Sequence, residues 1–211
     1  MRTVLIANPK GGSGKTTLAT NLSGYFANRG RHVVLSDMDR QQSSLNWLER
    51  RPDNMPLIHG LNGRGKNADS LSADWTIIDS PAGLHGERLS EAVKRADWVV
   101  VPMQASTFDI GATQDFLQVL REEKAVRKER TFVAMVGMRI DSRTRAAASL
   151  QAYLEESDFP VMGHLRDAQI YVQAAEQGAS LFDLRPSLAA RDIQQWGPLL
   201  HWLVNADRNS L

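Results

Sequence analysis

The chain has 211 residues, enough for one sizeable core without requiring a second domain. Hydrophobic residues make up 42% and charged ones 23%, and the formal net charge of +1 commits no whole-molecule field to nucleic acid or membrane. The absence of cysteine excludes disulfides, thiolate zinc sites, iron–sulfur clusters and cysteine nucleophiles, and suits a reducing cytoplasm.

Short apolar runs alternate with helical patterns along the chain. "TVLIAN" (3–8) reads as a buried strand, and Met1 runs straight into it, so no signal peptide is expected. A glycine turn follows, then a helix over 16–30 with Leu18, Leu22, Tyr25 and Phe26 on one face and Gly30 as its stop. Further strands are expected at 32–37, 75–79, 97–103, 130–138 and 159–163, and further helices at 43–50, 87–95, 109–128, 143–156, 167–177 and 187–205. The polar, glycine-rich stretch 51–73 is expected to hold one short edge strand, "PLIHG" (56–60). Near-continuous apolar strands separated by helices predict an α/β fold, a mostly parallel sheet with helices on both faces, as a single domain over 1–211.

The turn "NPKGGSGKTT" (8–17) carries the chemistry. Glycines let successive N–H groups point inward as an anion nest, and the helix that follows adds its positive end. Lys15 is placed to meet the β- and γ-phosphates of a nucleotide, and the Thr16 hydroxyl to ligate Mg²⁺. The strand "VVLSD" delivers Asp37, with Asp39 just beyond it, to the carboxyl edge of the sheet, and "WTIID" delivers Asp79. The five histidines are scattered, with no pair at metal-ligand spacing.

The usual G-x-x-x-x-G-K-[ST] spacing is not met, because Pro9 stands at its first glycine. Lys10-Gly11-Gly12-Ser13-Gly14-Lys15-Thr16 resembles instead the deviant Walker A pattern of the ParA/MinD family of P-loop ATPases. "VVVPMQAS" (99–106) and "AQIYVQAAEQGASLFDLRPSLAARDI" (168–193) extend the likeness over nearly the whole chain.

The resemblance implies a Mg²⁺-dependent ATPase that closes an ATP-bound sandwich dimer. It implies phosphate binding over Lys10, Gly11, Gly12, Ser13, Gly14, Lys15, Thr16 and Thr17, with Lys15 serving its own nucleotide and Lys10 that of the second subunit. It implies that Asp39 positions the attacking water, and that Thr16, Asp37 and Asp79 form the Mg²⁺ side. Two departures stand out: Arg40 occupies a place where the family usually has proline, and Met138 one where many members read adenine with asparagine.

Within the family, the missing cysteines exclude cluster-bearing reductases. The apolar tail "IQQWGPLLHWLVNADRNSL" lacks the basic polar face of a membrane-targeting helix, so no stable membrane association is expected. What remains is the compact partitioning branch: cytoplasmic, associated with the nucleoid through DNA bound without sequence preference, and working with a ParB-like or McdB-like cargo protein that stimulates hydrolysis. No N-terminal extension precedes the first strand, so sequence-specific operator binding is not expected. The cargo would be a plasmid, a chromosome locus or a carboxysome.

Between residues 121 and 145, eight basic residues face four acidic ones, and Arg139, Arg143 and Arg145 are candidates for DNA contact. The rival readings are a P-loop phosphotransferase that uses 51–73 as an acceptor lid, a MinD-like membrane-associated ATPase, and an adaptor that binds ATP but barely hydrolyses it.

Overall fold

A computed structural model describes residues 1–63, 72–141 and 157–205, with 143, 144, 148, 150, 152 and 153 between them. Seven strands form one parallel sheet among the described residues: β1 (Arg2–Ile6), β2 (Val33–Asp37), β3 (His59–Asn62), β4 (Trp75–Asp79), β5 (Trp98–Gln104), β6 (Phe132–Met138) and β7 (Val161–His164). Their spatial order is β3-β2-β4-β1-β5-β6-β7.

Successive strand residues face opposite sides. Val4, Ile6, Trp75, Ile77, Trp98 and Val100 join one core, and Leu5, Ile78, Val99, Val101 and Met103 the other. This two-sided burial explains why the strands read as unbroken apolar runs. On the first side packs α1 (Lys15–Ala27), anchored by Phe26 stacked on Trp75 with ring centroids 3.8 Å apart. On the second lie α3 (Gly86–Arg95) and α4 (Thr107–Glu122), through Leu89, Val93, Phe116, Leu117 and Leu120.

Three elements differ from expectation by more than a shifted end or in a way the sequence explains. The edge strand starts at His59, not Pro56: proline has no N–H for a ladder, and the Pro56 carbonyl instead accepts from Arg51 Nε at 3.1 Å. The helix expected over 109–128 breaks at Glu123, which turns extended (ψ 129°) while its carboxylate takes a 2.7 Å hydrogen bond from Ser90; α5 (Lys124–Arg127) follows.

The helix expected over 187–205 is two, α7 (Pro186–Gln195) and α8 (Gly197–Asn205). Pro198 sits in the first turn of α8, where its missing N–H is harmless. Trp196, Leu199, Leu200 and Leu203 are buried on the core, so the apolar tail is packing surface. No helix among the described residues is long and apolar enough to cross a membrane. Most of the helix expected over 143–156 lies outside the described residues.

Parallel register aligns the carboxyl ends of three central strands. Ile6 and Asp37 both pair with Asp79. The glycine turn therefore leaves β1 at the level where β2 and β4 present their aspartates, at the edge where open α/β sheets bind ligands.

Candidate functional site

The turn begins with a tie. Asn8 is buried; its Nδ2 donates to the Pro102 carbonyl (2.8 Å) and to Thr113 Oγ1 (3.1 Å), and its Oδ1 accepts the Lys10 N–H (2.8 Å). Farther along, Gln104 Nε2 donates to the Gly12 carbonyl at 2.6 Å. Gly14 has φ 102°, which favours glycine, and a Cβ there would also have to displace the end of Met138, whose Cε would lie 2.7 Å away. Because Gly14 is also the N-cap of α1, no side chain caps that helix. Its first-turn N–H groups are left for an anion.

These N–H groups border a cavity of about 330 Å³ lined by residues 11–17, Asp39, Gln41, Ser43, Asp79, Ser80, Ala82 and Arg139. Lys15 is 8% exposed, and its Nζ donates to the Lys10 carbonyl at 2.7 Å. Burial lowers the Lys15 pKa; the charges of Asp79 and then Asp39 oppose that shift.

Asp79 is 2% exposed. Burial, chiefly, pushes its carboxyl up to about 7; a hydrogen bond from Thr16 opposes this, the nearby Asp37 adds to it, and Ser44 and Lys15 oppose it. Asp79 Oδ1 and Ser80 Oγ are buried without a hydrogen-bond partner. Orphaned oxygens next to a buried ammonium and a free helix N-terminus suit a polyanion with its cation. The residues present therefore fit a Mg²⁺-nucleotide.

Asp39 lines the same cavity; its N–H donates to Asp37 Oδ1 (2.9 Å) and its Oδ1 accepts the Gln41 N–H (3.0 Å). Asp37 does not line it. That carboxylate is fully buried, and its other oxygen accepts from the Ser44 N–H (2.9 Å) and hydroxyl (2.7 Å), fixing the start of α2 (Ser43–Glu49). Lys10 is likewise absent from the lining: its carbonyl, not its ammonium, meets Lys15.

Of the candidate DNA arginines, two are described. Arg139 (φ 52°) lines the cavity. Arg143 is exposed but clasped by Asp141 through two 2.9 Å hydrogen bonds, and that partner holds the Asp141 carboxyl down at about 2. Arg145 lies outside the described residues. Lys124, Arg127, Lys128 and Arg130 are exposed.

A second cavity, about 520 Å³, shares Gly14, Thr17 and Arg139 with the first and opens against Met138, Arg166, Asp167 and the Tyr171–Val172–Ala175 face of α6 (Gln169–Glu176). Sequence reasoning singled out Met138 but missed Ser80, Gln104, Tyr171 and the Asn8 tie. Ser80 was findable as the polar residue following a strand-end aspartate; the others depend on contacts across the sheet.

A profile of the CobQ/CobB/MinD/ParA nucleotide binding domain matches residues 4–181. The chain is 26% identical over 203 residues to the Maintenance of carboxysome distribution protein A of Halothiobacillus neapolitanus, covering 92% of this chain and 93% of that protein. It is 28% identical over 191 residues to the chromosome-partitioning ATPase Soj of Thermus thermophilus, covering 73% of this chain and 76% of that one. A plasmid partition protein of Borrelia burgdorferi, solved with AMPPNP bound, superposes with a TM-score of 0.75 at 18% identity over 98% of this chain and 99% of its own. At that identity the likeness shows the fold.

Proposed function

Since the chain belongs to the CobQ/CobB/MinD/ParA nucleotide-binding family, we propose that it is a Mg²⁺-dependent ATPase that dimerises on ATP, holds DNA without sequence preference, and positions a cargo with a stimulating partner protein. The observation that carries the reading is the different setting of two lysines five residues apart. Lys15 is buried inside the cavity with the uncapped end of α1, whereas Lys10 lies outside it.

In this reading the N–H groups of the turn and the Lys15 ammonium bind the β- and γ-phosphates. The Thr16 hydroxyl and Asp79 hold Mg²⁺, whose charge offsets that of the phosphate oxygens. Asp39 orients the attacking water from the cavity wall. Lys10 supplies a second cation to the nucleotide of the other subunit, in the manner of an arginine finger. Turnover is slow until a dimer and an activator complete the geometry. Asp37 acts by fixing the strand-to-α2 turn beneath Asp39, not as a metal ligand.

The second cavity, continuous with the phosphate site at Gly14 and Thr17, takes the nucleoside. Met138 in its wall offers no side-chain amide to the base, so recognition there falls to backbone groups or to the polar neighbours Arg166, Asp167 and Tyr171. Two relatives named for carboxysome distribution and chromosome partitioning support a positioning task, with a plasmid, a chromosome locus or a carboxysome as cargo. The site of action is then the cytoplasmic nucleoid.

Retention on unrelated DNA sequences tests the reading. ATP-dependent retention that weakens steeply with salt is expected. Retention that is indifferent to nucleotide, or absent at low salt, would contradict it.

A further inference from the structure

The second lysine is useful only if it is held in place, and the chain contains a device that does this. We propose that Asn8 and Thr113 are positioning residues for Lys10, tying its backbone to the inner face of α4; this rests on the cross-subunit role proposed for that lysine. The Asn8 carboxamide is 3% exposed and uses both ends: Oδ1 holds the Lys10 N–H, while Nδ2 holds the end of β5 at the Pro102 carbonyl and Thr113 Oγ1 on α4.

Thr113 is fully buried, so its hydroxyl is offered inward and not to water. On the opposite flank, the Pro9 carbonyl accepts the Gly83 N–H at 3.0 Å. The segment 8–10 is thus fixed from two sides before the glycines begin. Asn8 does not line the nucleotide cavity, and neither does Thr113.

The chemistry requires an amide. Aspartate at position 8 would set a carboxylate against the Pro102 carbonyl, and a shorter side chain would not span 2.8 Å to the Lys10 N–H and 3.1 Å to Thr113 at once. Because the link runs through α4, a displacement of that helix moves the starting point of the Lys10 side chain. It leaves the backbone of Lys15 in place, since that residue opens α1, and shifts only the Lys10 carbonyl that its ammonium contacts. The link therefore acts on turnover and on dimer closure, and not on nucleotide capture.

Thr113→Val keeps the shape and removes the acceptor; Thr113→Ser restores it. In the full chain, Thr113→Val is expected to lower stimulated ATP turnover on the order of tenfold, leave the affinity for a fluorescent ATP analogue within about twofold, and be rescued by Thr113→Ser. In a Lys10→Ala background the same substitution should have no further effect. Asn8→Ser repeats the test from the other end of the link, with melting temperatures measured to separate positioning from folding. Normal turnover in Thr113→Val alongside an impaired Lys10→Ala would overturn this inference alone, as would a Thr113→Val loss that persists undiminished without Lys10. A silent Lys10→Ala would overturn the cross-subunit reading and this inference with it.

Discussion

At the scale of single residues, the site is a compromise between folding and binding. Asp79 is a buried carboxylate with one orphaned oxygen and a pKa near 7 against an ordinary 3.8. Between those values the folded protein binds a proton that the unfolded chain has released, so raising the pH through this window reduces stability; above about 7 the whole penalty is present. Asp79→Asn should therefore stabilise the nucleotide-free protein at pH 8 by on the order of 1–3 kcal/mol. The gain should fade toward pH 4, read by thermal melts across that range. The same substitution should abolish Mg²⁺-dependent nucleotide binding. A variant less stable than the parent at pH 8 would show that the carboxylate is satisfied in the empty site.

At the scale of elements, α1 is both the largest packing unit against the sheet and the anion-facing dipole. Phe26, at its far end, stacks on Trp75 and is 2% exposed. Phe26→Ala is expected to cost about 3–5 kcal/mol in urea unfolding, and to weaken nucleotide binding only as far as it loosens the helix.

Most elements were legible because two-sided burial writes an unbroken apolar run and a glycine turn has few alternatives. The strand-end aspartates were placed correctly for the same reason. The break at Trp196 was marked in the sequence, where Gly197-Pro198 interrupts the apolar tail. The break at Glu123 was not legible, because it involves a distant partner, Ser90. The fate of Asp37 was hidden likewise: only the fold shows that Ser44 consumes its second oxygen.

Local charge counting singled out Arg139, Arg143 and Arg145 for DNA; in the fold Arg139 lines the cavity and Arg143 is exposed and paired with Asp141, while Arg145 lies outside the described residues. Exposed basic residues on and beside α5 offer more free charge for phosphates. Lys124→Ala with Lys128→Ala should weaken DNA retention more than Arg143→Ala, and should reduce the salt slope by about 2 where each lysine neutralises one phosphate. Equal or larger loss from Arg143→Ala would return the contact to that arginine.

At the scale of the whole molecule, the fold gathers one part of the proposed catalytic arrangement. One protomer gathers a buried ammonium, a helix N-terminus and two acids around its cavity, and keeps its second lysine outside. On the proposed reading, completing the charge balance takes a second copy, which would make nucleotide state and assembly one switch and time the positioning of cargo. The most direct measurement is the solution mass of the ATP-loaded Asp39→Ala variant, which removes the side chain proposed to orient the attacking water, with and without Lys10→Ala. The account predicts a dimer with Lys10 present and a monomer, or a much weaker dimer, without it. A monomer in the first case, or an equally stable dimer in the second, would contradict it.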